Sequence, residues 1–169
     1  MNAARRMILA GTAALVVLFA CEDPSGNEEP CPRETPGLGL PADAAFPDTL
    51  ESCSGRYILE CFLWRDFMPI SPPNGNPLRA IATLTEIDAT PIPESVALDH
   101  LWVFNSLAFW STDFSEDAMP PVPPYQLARI ARCGPKWEPG ILVDVVVSVR
   151  CGADWQYVKA KDIVIRRTF

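Results

Sequence analysis

Histidine is almost missing from this chain of 169 residues. His100 is the only one, and the six cysteines form no Cys-x-x-Cys pair. Structural zinc sites use four cysteine or histidine ligands, usually with short spacings of that kind. A catalytic histidine needs a nucleophile beside it, and no Gly-x-Ser-x-Gly motif occurs. We therefore predict no metal, no cofactor and no enzymatic activity, and we interpret His100 as a partly buried structural residue.

Basic residues are also scarce, and they are nowhere dense. The chain has 21 acidic and 14 basic residues, and segment 22–53 has eight acids against the single base Arg33, a net charge of −7. A nucleic-acid partner requires a dense basic patch, so we exclude one. Segment 22–50 is rich in Pro, Gly, Glu and Asp and has few large apolar groups before Phe46. Such a composition predicts a flexible acidic spacer.

The hydrophobic runs are too short to span a bilayer. Residues 7–20 (MILAGTAALVVLFA) carry no charge, but a membrane-spanning helix needs about 20 such residues. Arg5 and Arg6 precede this run, and a small residue, Ala20, closes it. A basic start, a short apolar stretch and a small closing residue predict a secretory signal.

The signal ends in Leu18-Phe19-Ala20-Cys21, which resembles the lipobox of bacterial lipoproteins. The resemblance implies cleavage before Cys21, lipid attached to its sulfur, and a chain held on the outer side of a membrane. Several acyl chains on one cysteine would suffice for stable anchoring. The alternatives are an ordinary secretory signal, with Cys21 there by coincidence, and an uncleaved membrane anchor.

Amphipathic helical periodicity is absent, and 18 prolines punctuate the chain. Alternating patterns predict strands instead. In Ile141–Cys151 four valines fall on one face, and Tyr57–Trp64 alternates with Glu60 marking the polar face. About seven short strands predict an immunoglobulin-like β-sandwich, with an open β-barrel as the alternative. The predicted division is a signal peptide at 1–20, a lipidated linker at 21–53 and a β domain at 54–169.

Five cysteines remain after Cys21, and an exported chain favours disulfides. Cys61 and Cys151 fall on the apolar faces of strong strands, so we predict that they form a bridge across the core. If the strands flanking 134–140 are antiparallel neighbours, Cys133 and Cys151 lie at opposite ends of one strand and cannot pair. A second bridge and one free thiol would then come from the remaining three, Cys31, Cys53 and Cys133.

The predicted hairpin Leu101–Trp110 is the strongest candidate for a contact patch. It is apolar on both faces, so it is either enclosed in the core or partly exposed. Its candidate contact residues are Trp102, Phe104, Phe109 and Trp110. The loop that follows holds three clustered carboxylates, for which a solvated acidic loop is the preferred reading and calcium a weaker one. These carboxylates are Asp113, Glu116 and Asp117.

The pattern as a whole predicts a non-catalytic protein of the bacterial cell envelope, anchored to the outer membrane, that binds a protein or glycan partner. One alternative is a carbohydrate-binding module, which would present coplanar exposed tryptophan rings. The other is a small envelope hydrolase, which would need a cleft with convergent carboxylates.

Overall fold

The computed structural model describes residues 45–52 and 55–169, and the regular structure of these residues is entirely β. The predicted signal, Cys21, Cys31, Cys53 and most of the linker lie outside the described residues. No helix among the described residues is long and apolar enough to cross a membrane. The predicted all-β class is confirmed. The eight strands are β1 Thr49–Ser52, β2 Gly55–Asp66, β3 Leu78–Glu86, β4 Val96–Phe104, β5 Phe109–Asp113, β6 Gln126–Gly134, β7 Leu142–Cys151 and β8 Asp154–Thr168.

The long strand β8 joins two sheets into one nearly closed surface. Its first part pairs antiparallel with β7, and its last four residues pair parallel with β2. The strand order is β5-β4-β7-β8-β2-β3-β6, with β1 paired to β2 at one side. Between the outer strands, the Ser115 N–H donates to the Ile130 carbonyl at 2.8 Å. The fold therefore combines features of the two predicted architectures, the sandwich and the open barrel.

The interior is filled by the apolar faces that alternation predicts. On β2, Tyr57, Leu59 and Leu63 point inward and are buried, and the four odd-numbered valines of β7 join them. Burial of each leucine or valine in this set contributes about 1.5–3 kcal/mol to the free energy of unfolding. At the seam where the outer strands β5 and β6 approach each other, a Cβ on Gly134 would lie 2.8 Å from the Leu78 Cβ and 2.9 Å from the Trp110 ring. Only glycine therefore fits at this position.

Strand directions divide the connections between two ends of the barrel. Connections 67–77, 105–108 and 135–141 lie at one end, which we call the apolar end. Its only charged connection residues are Lys136 and Glu138. Connections 87–95, 114–125 and 152–153 lie at the other end, the acidic end. These carry no base and four acids: Asp88, Glu94, Glu116 and Asp117.

Two details of the predicted organisation are wrong. β1 lies within the segment that the sequence analysis assigns to the linker, and Leu50 of this strand is buried in the core. A single apolar residue in an acidic stretch gives no alternation to detect. In addition, β6 and β7 are not neighbours, because β7 pairs with β4 and β8 instead. The two strands still run in opposite directions, so Cys133 and Cys151 do lie at opposite ends, as predicted.

Candidate contact face on strands β3, β2 and β8

The predicted contact patch on the β4–β5 hairpin is mostly covered. Trp102 and Trp110 are both buried, and Trp110 packs at the seam beside Gly134. Trp102 lies on the outer face, but the rings of His100 and Tyr157 pack against it at centroid distances of 4.3 and 6.0 Å. Phe109 is the one member of the patch that is largely exposed, since Phe104 is partly buried. The hairpin is therefore mainly part of the packed structure.

His100 occupies the polar part of this face and is partly buried, as predicted. Its Nδ1 lies 2.5 Å from Oδ1 of Asp113, and its Nε2 lies 2.7 Å from the Ser111 hydroxyl. Asp113 is directly opposite His100 in the hairpin register, and Ser111 is two pairs further along, opposite Trp102. The trio was not predicted from the sequence, and it is the strand register that brings the three side chains together on one face.

Carboxylate on Nδ1 and hydroxyl on Nε2 is the order found in Ser–His–Asp hydrolases. The remaining geometry does not favour catalysis. The Asp113 side chain is 85% exposed, so water solvates the carboxylate that would have to orient the imidazole. Ser111 lies inside the β5 ladder, whereas acyl transfer needs N–H donors that converge beside the nucleophile. We interpret the trio as polar pairs that fix the register of β5 on β4.

The three carboxylates considered for calcium are not brought together. Asp113 contacts His100, while Asp117 accepts hydrogen bonds from the Ser115 hydroxyl at 2.7 Å and from Arg132 Nε at 2.5 Å. These hydrogen bonds hold the pKa of Asp117 below its ordinary value. Over residues 45–52 and 55–169, no group of three or more His, Cys, Asp or Glu side chains could hold a metal ion.

The predicted Cys61–Cys151 bridge is wrong. Cys61 is a free thiol, whereas Cys133 and Cys151 are both disulfide-bonded. β8 separates β2 from β7, which puts these strands about 10 Å apart, and a disulfide requires Cα atoms within about 7 Å. Burial, with a smaller contribution from the Glu60 charge, raises the pKa of Cys61 to about 12. This thiol therefore stays protonated and unreactive at neutral pH.

The exposed aromatic residues lie instead on the outer surface of the other sheet. Phe62, which is 39% exposed, and Trp64 both point outward from β2, and their ring centroids are 5.3 Å apart with planes tilted by 35°. In the strand register, Arg79 of β3 and Arg166 of β8 lie on either side of Trp64. We call this set the aromatic–arginine face: Phe62, Trp64, Arg79 and Arg166.

The two arginines of this face have no carboxylate partner within ion-pair distance among the described residues. The five ion pairs there involve other cations: Arg56, His100, Arg132, Arg150 and Lys159. The Arg166 guanidinium lies 5.4 Å from the centre of the Phe62 ring, a cation–π contact that leaves its N–H groups available. The face thus presents aromatic surface flanked by two donor groups.

One sequence signal could have revealed this face. Alternation on β2 assigns Tyr57, Leu59 and Leu63 to the core, and Glu60 marks the opposite face. Phe62 and Trp64 share the phase of Glu60, so two aromatic residues occupy positions where polar groups are expected. Aromatic residues out of phase with the core are candidates for contact.

No protein family, curated protein or solved structure matches this chain at a significant level.

Proposed function

We propose that this protein is a lipid-anchored, non-catalytic binding protein of the bacterial cell envelope, which contacts another envelope component through the aromatic–arginine face. The observation that carries the proposal is the pair of exposed Phe62 and half-buried Trp64, flanked by Arg79 and Arg166, neither of which forms an ion pair with a described residue. Aromatic and arginine side chains are the residue types that dominate contact energies at protein interfaces. The strands of a sheet present them without the cost of ordering a loop.

The proposed anchor rests on the sequence. A short apolar signal ends in the lipobox-like Leu18-Phe19-Ala20-Cys21, and an acidic spacer precedes the first strand. The repelling charges of the spacer extend it, which would hold the domain away from the membrane by a variable distance. Acylated Cys21 would keep the domain at the outer membrane.

A carbohydrate is the second candidate for the partner. The observation that favours it is the neighbouring pair Phe62 and Trp64, on which sugar rings would stack. The predicted row of coplanar tryptophans receives less support, because Trp102 and Trp110 are buried and Trp155 is exposed on its own at the acidic end.

We do not favour a hydrolase. Groove-lining acids include Asp99, Glu116 and Asp117, but Arg150 and Arg132 pair with the first and last of these. A general acid requires a raised pKa, and that of Asp117 is lowered.

Site-specific photo-crosslinking in living cells tests the contact face. A photoreactive amino acid at Phe62 should give a discrete adduct with an envelope component, and Trp64→Ala should reduce its yield several-fold. The matched control is the same amino acid at Trp155, an aromatic residue that is 55% exposed at the acidic end. Equal adducts from both positions, or none from position 62 in a folded and anchored chain, would contradict the proposal.

A further inference from the structure

The apolar end of the barrel carries exposed aliphatic side chains at the tips of separate connections. Ile70, in connection 67–77, is 92% exposed, and Leu107, in the β4–β5 hairpin, is 94% exposed. Met68 and Leu142 add partly exposed apolar surface at the same end. Side chains this exposed contribute nothing to the core, so the fold itself does not explain them.

The two connections that carry these tips are uncharged, and charged side chains lie only around them. Connections 67–77 and 105–108 contain no charged residue at all. Behind them stand exposed cations, including Lys136 and Arg167, and the Arg167 guanidinium lies 4.0 Å from the centre of the Phe67 ring. The acids at this end are the exposed Glu138 and Asp162 and the partly buried Asp66 and Asp144. Of the four acids in the opposite connections, only Asp117 reaches toward this end, where it pairs with Arg132 of β6.

The N–H of Leu107 donates to the Oδ1 of Asn105 at 2.8 Å, and the connection that carries Ile70 is held in place by the buried side chain of Arg65. Its guanidinium donates to the carbonyls of Asn74 and Asn76 in one connection and of Lys136 and Trp137 in another. Connections 67–77 and 135–141 are thereby fixed to each other. An apolar tip that is already ordered loses little conformational entropy when it is buried by a partner.

We infer that the apolar end docks onto a lipid bilayer that contains anionic headgroups. Ile70 and Leu107 enter the boundary between headgroups and acyl chains, while Lys136 and Arg167 contact the headgroups. Apolar insertion combined with attraction of cations to anionic lipid is the general basis of peripheral membrane binding. The inference uses the proposed anchor only for its setting, because a lipid at Cys21 would keep the domain within reach of a membrane.

A second copy of the chain fits this end less well. Two copies meeting end to end would bring their Lys136 and Arg167 side chains together, and like charges oppose such a contact. The apolar tips also stand on separate connections of the chain. Separate tips can enter a fluid bilayer independently, whereas a protein surface would have to match all of them at once.

Vesicle flotation of the full exported chain with Cys21→Ala, which removes the acyl chains, tests this inference. We expect the chain to bind vesicles containing phosphatidylglycerol and to bind phosphatidylcholine vesicles much more weakly. Ile70→Ser and Leu107→Ser should each lower the partition coefficient about tenfold. Lys136→Gln and Arg167→Gln should each lower it about fivefold, and added salt should reproduce that loss.

The matched controls are Ile87→Ser and Val122→Ser, which change side chains that are 41% and 40% exposed at the acidic end. Both should bind like the parent chain, and so should Trp64→Ala, which separates this test from that of the contact face. The inference is overturned if the folded parent chain fails to bind phosphatidylglycerol vesicles, or if the controls lose binding equally. It is also overturned if Ile70→Ser and Leu107→Ser dissociate a dimer, because the occupant would then be a second copy.

Discussion

Among the described residues, the buried charged side chain is Arg65 at the apolar end of the barrel and Glu86 at the acidic end. Arg65 donates Nε–H to the Asn76 carbonyl at 3.0 Å, and its other nitrogens reach three further carbonyls. Glu86 accepts the Thr90 N–H at 2.7 Å and the Arg56 N–H at 3.4 Å. Each end is therefore organised by a buried charged side chain that bonds to the backbone. The cation Arg65 donates to carbonyls, whereas the anion Glu86 accepts from N–H groups.

The difference explains why the two ends present different surfaces. Arg65 joins the connection that follows its own strand to one whose bonded residues are 71 and 72 positions away from it, so it fixes two long loops that contain few charged residues. Glu86 holds only its own turn and the start of β2, and the acids around it stay in solvent. Burial lowers the pKa of Arg65, with Glu138 acting in the opposite direction, but a guanidinium remains charged at any ordinary pH.

Loss of Arg65 should have the largest effect on this comparison. Arg65→Met keeps much of the side-chain volume but leaves four backbone carbonyls without their donor, at a cost of about 3–5 kcal/mol in the free energy of unfolding. The measurement is urea unfolding followed by tryptophan fluorescence. The control is Arg167→Met, an exposed arginine at the same end, which should change stability by less than about 0.5 kcal/mol. Equal effects from the two variants would contradict the role given to Arg65.

Glu86→Gln should have a smaller effect at the acidic end. The amide oxygen can still accept one N–H, but the amide nitrogen cannot accept the other, so we expect a loss of about 1–2 kcal/mol. Thermal or urea unfolding measures this loss. Asp88→Asn is the matched control, because Asp88 is exposed in its pair with Arg56 and should cost under about 0.5 kcal/mol. If Asp88→Asn cost as much as Glu86→Gln, burial would not be the cause.

Acid should weaken the ion pair between Asp144 and Lys159 near the apolar end. Burial raises the pKa of Asp144, but the hydrogen bonds from Lys159 and from the Asp162 N–H outweigh it, so the pKa lies below 3.8. A lowered carboxyl pKa stabilises the fold above the unfolded value and loses that effect as the pH falls through the folded value. The stability difference between wild type and Asp144→Asn should be under about 1 kcal/mol at pH 7. It should shrink as the pH falls below about 4.

Unfolding measured at several pH values tests this dependence. A difference that grew on acidification would show that the sign assigned to Asp144 is wrong.

The smallest expected effect is the coupling free energy between Arg65 and Glu86, which tests whether the two ends are independent. The double variant Arg65→Met, Glu86→Gln should lose the sum of the single losses to within about 0.5 kcal/mol, since the side chains share no partner. A larger coupling energy would mean that the two ends respond as one unit.

The sequence predicts the strands with strong alternation, and it fails where packing between distant segments decides the outcome. The inward valines of β7 and the inward positions of β2 follow from period two. The parallel pairing of β2 with β8 does not, because residues at 63–66 and 165–168 meet across the whole domain. The exposure of the hairpin aromatics depends on Tyr157, which covers Trp102 from another strand.

Arg65 illustrates a signal that the sequence contains but that periodicity alone cannot interpret. It lies in phase with the buried Tyr57, Leu59 and Leu63, which marks it as inward-facing. Whether an inward arginine is satisfied depends on carbonyls supplied by connections that are remote in sequence. The aromatic–arginine face has the same origin, since Arg79 and Arg166 meet Trp64 only through strand register.

Lipid anchoring at Cys21 is the central claim about what this protein is, and it can be measured directly. Cells producing wild type or Cys21→Ala should be fractionated, washed in high salt and compared, with protease added to intact cells in parallel. We predict that the wild type stays with the outer membrane and is extracted only by detergent, while Cys21→Ala is released by the wash. If both chains remained membrane-bound, or both were released, Cys21 would not be the anchor.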